Sequence, residues 1–451
     1  MKIIIVGCGR VGYDLAKQLS EEKHDITIID TNPDKLERTL SVLDVQGVEG
    51  NGTSFRVQLE AGARDCDFMV AVTGQDEVNL LCCLMAKKAG SRHAIARVRN
   101  PIYNEEIGYL TDEFGLSMTI NPELACAENI AKLIEVPSAL DIMTFAKGQI
   151  DLIKLPIPAD SPIHDMTVYE FANTFSKTTL ITAIERDKQV IIPNGRTVLK
   201  AGDDMYVIVR PLEILRLLPK IGIKTKPIRS VLIAGGGTTA YYLAKKLSTL
   251  PIDVKIIEID RDRCETLSEQ LPSAMIINGN ATDRQLLMEE GITDKDAIVS
   301  LTDLDEENMV LSMFCSKMSK ARTITRLNTI AFDEVLADLP IGAVVSPKAI
   351  TTKRILQYVR SLENTHGNNI ETLYRILDDR VEVLEFRVRK DAKVTDTPLM
   401  DLKLKKNLLV CAIIRQGQII TPGGKDEIHA GDRVIIVTTQ MGLKDISEIL
   451  A

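Results

Sequence analysis

Three glycines near the start of the chain, Gly7, Gly9 and Gly12, stand in the spacing G-x-G-x-x-G. They directly follow the run over residues 2–6, which is β-branched from residue 3 onward. The run predicts a buried parallel strand, and the apolar spacing from Val11 onward predicts a helix. In this context Gly7 permits a tight turn, Gly9 lets backbone approach a pyrophosphate, and Gly12 lets the helix pack on the strand. The positive end of the helix dipole would face the phosphates.

A carboxylate follows at the expected distance from this turn. The second predicted strand ends in Asp30, where the side chain can accept hydrogen bonds from both hydroxyls of an adenosine ribose. Cys8, Arg10 and Val11 lie within the turn, and Arg10 either reaches toward phosphates or is a solvated surface residue. Strand, glycine turn, helix and acid together favour a nucleotide site over a merely structural turn.

Small or polar residues also follow the later strands. Asn51-Gly52 and Thr73-Gly74 each come directly after a predicted strand, and Arg97 ends another. Because ligands of open parallel sheets collect at the carboxyl ends of the strands, these residues predict the border of a pocket. Turn chemistry, or an ion pair between Arg97 and Asp76, is the alternative for each residue taken singly.

The chain repeats itself once. Gly7 corresponds to Gly235 at an offset of 228 residues, and the segment that begins at Thr73 returns at Thr302 at an offset of 229. An offset this constant indicates tandem duplication, with a period too long for a solenoid. The candidate binding residues of the second copy are Gly235, Gly236, Gly237, Thr238, Thr239, Glu258, Asn280, Ala281, Thr302 and Arg326.

The second glycine turn has diverged from the first. Ala240 stands where Gly12 stands, which the motif tolerates, and Thr238 replaces the charge of Arg10. Glu258 keeps a carboxylate for the ribose, with Asp260 as a competitor for that role. We expect weaker binding of a dinucleotide or diphosphate here, or a structural pseudo-site.

Each half divides into two modules. A doubly wound, Rossmann-like parallel sheet is followed by a small β-rich α+β domain with short alternating strands and turn residues. A segment with Pro, Gly and Lys over residues 220–227 reads as the link between the halves. The predicted boundaries are 1–135 and 136–219 for the first half, then 220–360 and 361–451 for the second.

Composition and motifs narrow the function. A net charge of −8, no Lys/Arg-rich block and few aromatic residues argue against nucleic-acid binding. The eight cysteines form no C-x-x-C pair, so a disulfide framework or zinc site is not expected and the reducing cytosol is favoured. We expect neither a signal peptide nor a membrane span. The five histidines lie in no acid–base motif, so a binding module is favoured over an enzyme.

The stretches IIIVGCGRVGYDLA, DITIIDTNPDKL, VEGNGTS and ARVRNP, with their second copies, resemble the RCK or KTN family of cytosolic gating subunits. The duplicated order of modules resembles the tandem form found in Trk potassium uptake systems. The resemblance implies a non-catalytic regulator that binds NAD(H) or ADP/ATP. It further implies a homo-oligomeric ring on the cytosolic face of the plasma membrane, where nucleotide exchange gates an integral-membrane Trk/Ktr-type potassium channel.

The resemblance also assigns roles. Gly7 to Gly12 would hold the phosphates, Asp30 the ribose, and Asn51, Gly52, Thr73, Gly74 and Arg97 would border the adenosine. Arg10 matches a position that meets the terminal phosphate of ATP in related single-unit subunits, and Glu123 resembles an acid that helps place a cation between neighbouring ATP sites. The second half has Lys348 at that position, which leaves the cation role in doubt there.

Two other classes stay open. An NAD-dependent dehydrogenase of two fused subunits would need a catalytic His or Lys facing the nicotinamide, and the sequence offers no clear candidate. A small-molecule sensor could act through the small domains, since in some relatives the equivalent domain binds cyclic di-AMP.

Overall fold

The first Rossmann module of the computed structural model is a six-stranded parallel sheet in the order β3-β2-β1-β4-β5-β6. The structure describes residues 1–175, 178–223, 226–328, 336, 339–363, 369–377 and 380–451. The strands are β1 (Lys2–Val6), β2 (Asp25–Asp30), β3 (Gln46–Glu49), β4 (Phe68–Ala71), β5 (His93–Arg97) and β6 (Met118–Ile120).

Seven helices accompany these strands: α1 (Arg10–Glu21), α2 (Pro33–Leu40), α3 (Phe55–Glu60), α4 (Asp76–Ala89), α5 (Pro101–Glu105), α6 (Ile107–Glu113) and α7 (Pro122–Glu135). The start of α2 is determined by its capping residues. Asn32 caps α2, its side chain accepting a hydrogen bond from the amide of Lys35 at 3.0 Å, and Pro33 occupies the first helical turn. The sequence did not predict α5 and α6.

The first small domain is a five-stranded sheet in the order β10-β9-β11-β8-β7, and its pairings are antiparallel. Its elements are β7 (Asp141–Phe145), β8 (Ile150–Pro156), α8 (Val168–Thr174), β9 (Leu180–Arg186), β10 (Gln189–Ile191), β11 (Asp204–Val209) and α9 (Pro211–Leu217). Of the predicted link between the halves, residues 224 and 225 lie outside the described residues.

The second half repeats both sheets. The parallel sheet has the order β14-β13-β12-β15-β16-β17 and the antiparallel sheet β18-β19-β22-β20-β21. The strands are β12 (Ser230–Ala234), β13 (Asp253–Glu258), β14 (Ala274–Asn278), β15 (Ala297–Ser300), β16 (Arg322–Arg326), β17 (Ala343–Val345), β18 (Ile370–Ile376), β19 (Val381–Arg387), β20 (Leu408–Arg415), β21 (Gln418–Ile420) and β22 (Arg433–Thr438). The helices are α10 (Thr238–Leu247), α11 (Arg261–Gln270), α12 (Arg284–Glu289), α13 (Asp305–Met318) and α14 (Pro347–Glu363). The predicted fold class is confirmed.

The chain forms two compact units, each of which combines like modules. One unit holds residues 1–131 and 229–356, which include both parallel sheets, and the other holds 132–228 and 357–451, which include both antiparallel sheets. The four predicted domain boundaries stay predictions. All eight cysteines are buried and free. Among the described residues, no helix has the length and apolarity to cross a membrane.

A buried asparagine ties together two strand ends of the first module. Asn79, on α4, accepts hydrogen bonds from the amide and hydroxyl of Thr73 at 2.8 and 2.7 Å. Its amide nitrogen donates to the backbone oxygens of Thr73 and Arg97 at 3.3 and 2.9 Å. Asn308 makes the matching four bonds in the second module. These contacts hold the loops that follow β4 and β15.

Helix α1 lies directly against the turn that precedes it. A Cβ atom added to Gly12 would lie 1.9 Å from the backbone oxygen of Gly7, whereas one added to Gly9 would meet no atom within 4 Å. The two glycines therefore have different structural roles. Gly12 permits the packing of the helix, and Gly9 leaves open space at the helix start.

We expect Gly12→Ala to lower the free energy of unfolding by about 3 kcal/mol or more, because the clash is with backbone that has no rotamer to change. The matched variant Gly9→Ala should change it by less than about 1 kcal/mol, since Gly9 has extended backbone angles that alanine adopts. Denaturant unfolding of both proteins measures the difference, and equal stability would contradict the packing role of Gly12.

We expect Asn79→Ala to lower the free energy of unfolding by about 2–4 kcal/mol, since its removal leaves buried backbone groups without partners. Gln75→Ala, on the exposed loop before α4, should stay within about 0.5 kcal/mol of the wild type. Denaturant unfolding measures both, and a small effect of Asn79→Ala would show that the loop is held by other contacts.

Candidate functional site

A cavity of about 790 Å³ opens at the carboxyl edge of the first parallel sheet. This is the edge where open α/β sheets bind ligands, and the volume suits a nucleotide-sized molecule. The predicted residues that line it are Gly7, Gly9, Arg10, Val11, Asp30, Asn51, Gly52, Thr73, Gly74, Arg97 and Glu123.

The glycine turn leaves room in front of α1. Gly7 has φ +102°, a conformation that favours glycine, and Gly9 is the residue before the first helical turn. Since a side chain at Gly9 would enter open space, that space can admit a ligand group close to the first backbone N–H groups of the helix. Arg10, the first helical residue, is exposed and lines the cavity.

Asp30 is fixed by backbone donors. One carboxylate oxygen accepts from the amide of Cys8 at 2.5 Å and the other from the amide of Asn32 at 2.8 Å. Each oxygen retains acceptor capacity, so the group can still receive two hydroxyl donors. Cys8 and Gly12 were predicted to contact ligand, but neither lines the cavity: the Cys8 thiol lies 2.9 Å from the Thr39 hydroxyl, and Gly12 packs on the turn.

The loop after β3 is held in a similar way. The Asn51 side chain accepts from the amide and hydroxyl of Thr53 at 3.0 and 2.9 Å. The buried Gln58 side chain donates to the backbone oxygen of Gly52 at 2.6 Å. A Cβ atom at Gly52 would lie 2.3 Å from a methyl carbon of Val6, so only glycine fits this rim of the cavity.

Two arginines at the end of β5 donate hydrogen bonds to the loop after β4. Arg97 donates to the backbone oxygen of Thr73, and Arg99 donates to that of Gly74 at 2.6 Å. A carboxylate oxygen of Asp76 lies 3.7 Å from the Arg99 guanidinium. The ion pair of Asp76 is therefore with Arg99, and not with Arg97 as the sequence suggested. Burial, together with the nearby charge of Arg99, lowers the pKa of Arg97. The carboxylates of Glu123 and Asp76 act in the opposite direction.

Glu123, in the first turn of α7, faces these arginines. Burial raises the pKa of its carboxyl, while Arg99, Arg97 and Arg326 act in the opposite direction. Its Oε2 atom is buried and has no hydrogen-bond partner among the described residues. A buried, unpaired carboxylate oxygen is expensive to keep, which makes it a candidate contact for a bound group.

The second Rossmann module contributes to the same cavity through Arg326, Asn328, Pro347, Lys348 and Thr351. Arg326 was predicted from the repeat to serve the second site, but the structure places it on the wall of the first cavity. Among the described residues, six cationic side chains and two carboxylates line the cavity. Such an excess of positive charge favours a polyanionic ligand.

At the second glycine turn, Glu258 occupies the place that Asp30 has in the first. Its oxygens accept from the amides of Gly236 at 2.6 Å and Asp260 at 2.8 Å. The Asp260 side chain instead caps α11, accepting from the amide of Arg263 at 2.9 Å, so Glu258 is the better candidate for a ribose. The Arg263 side chain donates to the Gly236 backbone oxygen at 2.8 Å and lies close to this turn.

The remaining second-copy candidates keep the geometry of the first. Gly235 has φ +102°, Gly237 precedes α10, and Thr238 begins that helix. The Asn280 side chain accepts hydrogen bonds from the amide and hydroxyl of Thr282, as the Asn51 side chain does from those of Thr53. Thr302 contacts Asn308, and Thr239 and Ala281 are buried.

Sequence reasoning missed Lys35, Arg99, Asn328, Lys348 and Thr351 as cavity-lining residues. For the first two, a signal was available, since each stands shortly after a strand end that the sequence did identify. Asn328 likewise stands two residues after the end of β16. It comes from the second module, as do Lys348 and Thr351, and only the packing of the modules brings these three residues to this cavity.

Comparison with known proteins bears directly on the family. The TrkA-N domain model matches residues 3–122 and 231–347, and the TrkA-C domain model matches 152–222 and 383–451. Trk system potassium uptake protein TrkA homolog 2 of Methanosarcina mazei is 32% identical over the whole of both chains. The TrkA homolog of Archaeoglobus fulgidus is also 32% identical over the whole of both chains. TrkA of Halomonas elongata is 31% identical over 100% of this chain and 98% of its own.

Solved structures share the fold. The GsuK channel bound to NAD has a TM-score of 0.64 at 18% identity, over 97% of this chain and 77% of its own. The GsuK RCK domain has the same score and identity, over 97% and 92%. The tandem domain matches and the full-length relatives, taken together, establish that this chain belongs to the TrkA family of Trk system potassium uptake proteins.

Proposed function

We propose that the protein is a cytoplasmic, nucleotide-sensing regulatory subunit of a potassium uptake system. The observation that carries the proposal is the cationic cavity at the carboxyl edge of the first parallel sheet, with its open glycine turn and the Asp30 carboxylate in its lining. NAD(H), ADP and ATP share the adenosine diphosphate that these elements suit.

Each part of the ligand has matching groups on this chain. Backbone N–H groups at the start of α1 would receive the phosphates, and Asp30 would accept the ribose hydroxyls. Asn51, Gly52, Thr73 and Gly74 would border the adenosine, and Arg10 would meet a terminal phosphate. The open space before α1 and the unpaired atoms on the cavity wall support this fit.

The relatives support the biological setting. Full-length relatives are named as potassium uptake proteins, and GsuK, which shares the fold, is known as a channel bound to NAD and as a form bound to ADP. By this analogy, the chain forms a homo-oligomeric ring on the cytosolic face of the membrane. There it associates with an integral-membrane potassium channel of the Trk/Ktr type.

Regulation of this kind needs no chemical step. If two conformations of the ring bind two nucleotides with different affinities, exchange of one nucleotide for the other shifts the population and changes ion flow. The protein would therefore act without catalysis.

The two glycine turns are expected to differ in ligand preference. The second lacks the charge of Arg10, has Thr238 at that position, and has Arg263 bonded to the Gly236 backbone oxygen. A dinucleotide or diphosphate with lower affinity is the ligand that this turn suits. Glu258 would then receive the ribose.

We expect Asp30→Ala to weaken binding of NADH, ADP and ATP to the first site by about 10- to 100-fold, because two charge-assisted hydrogen bonds are lost. Calorimetric titration of the full chain measures this. Glu258→Ala is the matched variant and should leave the first site unchanged while it removes any second binding event. Binding that survives both variants unchanged would contradict the assigned sites.

Glu123 is proposed to help hold a divalent cation beside bound ATP, since a carboxylate is a suitable ligand for Mg²⁺. We expect Mg²⁺ to strengthen ATP binding to the wild type at least fivefold beyond any effect seen with Glu123→Gln. Titration with and without Mg²⁺ checks this, and ADP-ribose serves as the control ligand without a terminal phosphate. The same Mg²⁺ dependence in both proteins would assign Glu123 to charge compensation alone.

A further inference from the structure

Unpaired polar atoms on the cavity wall come from both Rossmann modules. The buried Nε atoms of Arg97 and Arg326 have no hydrogen-bond partner among the described residues, and neither does Oε2 of Glu123. A buried N–H group without a partner is unfavourable, and arginine is well suited to bidentate contact with phosphate. Two such groups on one wall point to an anionic group that both would contact.

The structure holds the backbone of Arg326 firmly and its side chain weakly. Its backbone oxygen accepts from Asn308 at 3.1 Å, and the next residue, Leu327, donates to Val345 at 3.0 Å. The guanidinium lies 3.8 Å from Asp303, whose side chain is 99% exposed, so that ion pair contributes little. Its Nη2 atom also donates to the Asn328 side chain at 3.4 Å, and its charge acts on the buried Glu123 carboxyl. These contacts position the guanidinium and leave its Nε atom without a partner among the described residues.

Direct contacts between the two Rossmann modules place Arg326 on this wall. Lys348 forms an ion pair of 2.7 Å with Asp14 on α1. Asn121 donates to the Tyr242 hydroxyl at 3.0 Å, and that hydroxyl donates to the Arg99 backbone oxygen at 3.2 Å. These bonds fix the second module against the start of α1 and the end of β5, where the cavity lies.

We propose that Arg326 of the second module binds the phosphate portion of the nucleotide held by the first module, so that one site is built from both copies. This proposal rests on the proposed function and adds to it a specificity-determining residue. The ligand is an adenosine nucleotide with two or more phosphates, and a nucleoside monophosphate lacks the groups that Arg326 would contact. Ligand binding would then link the two modules.

The experiment compares ATP and AMP binding to the full chain by calorimetry, with competition against ATP for the weaker ligand. Arg326→Gln should weaken ATP binding at least tenfold and change AMP binding less than threefold. Arg326→Lys, which keeps the charge but not the planar fork, should weaken ATP binding less. Arg354→Gln is the matched control, because Arg354 pairs with Glu128 and does not line the cavity.

Hydrogen exchange of the wild type gives a second readout that needs no variant to fold. ATP should slow exchange of amides in residues 322–328 of the second module, while AMP should not. If Arg326→Gln binds ATP as the wild type does while Asp30→Ala binds it weakly, the proposal for Arg326 fails and the nucleotide site stands. Failure of the wild type to bind any adenine nucleotide would overturn the proposed function itself.

Discussion

Helix α1 begins against the backbone of the turn that precedes it, because Gly12 places no side chain between them. This close packing aims the free N–H groups of the helix at the carboxyl edge of the sheet, where the ends of β2, β4 and β5 bring Asp30, Thr73 and Arg97. A wider turn would move the helix away from that edge. The proposed recognition of phosphate and ribose at one place therefore depends on a contact between two pieces of backbone.

Polar contacts join the two Rossmann modules at the same edge. The Tyr242 hydroxyl bonds to Asn121 and to the Arg99 backbone, and Lys348 pairs with Asp14. Polar contacts are directional, so they specify one arrangement of the modules more sharply than an apolar surface of the same size would. That arrangement turns cationic side chains of the second copy toward the cavity of the first.

Local sequence patterns predicted the parallel sheets well. They did not predict which residues the two Rossmann modules bring together at the cavity. The apolar run before Gly7 and the repeated glycine turn identified β1, α1 and their second copies, because strand burial and helix periodicity are local patterns. Helices α5 and α6 have no fully buried residue, but Tyr103, Ile107, Leu110 and Phe114 form a half-buried apolar stripe at helical spacing. This signal was present in the sequence and was not used. Arg326 was assigned to its own module by offset, and only tertiary packing reveals the other cavity that it lines.

The pairing of Asp14 with Lys348 has a consequence for how such a protein can change over time. Residues 123 and 348 occupy corresponding positions in the two copies. In a dimer of identical single modules, one codon would specify both positions, so a lysine that favoured one subunit would also replace the glutamate of the other. Two copies in one chain remove that constraint, and here Glu123 stands in the first copy where Lys348 stands in the second. Internal duplication thus permits the halves of a symmetric assembly to acquire different tasks without losing the contact that joins them.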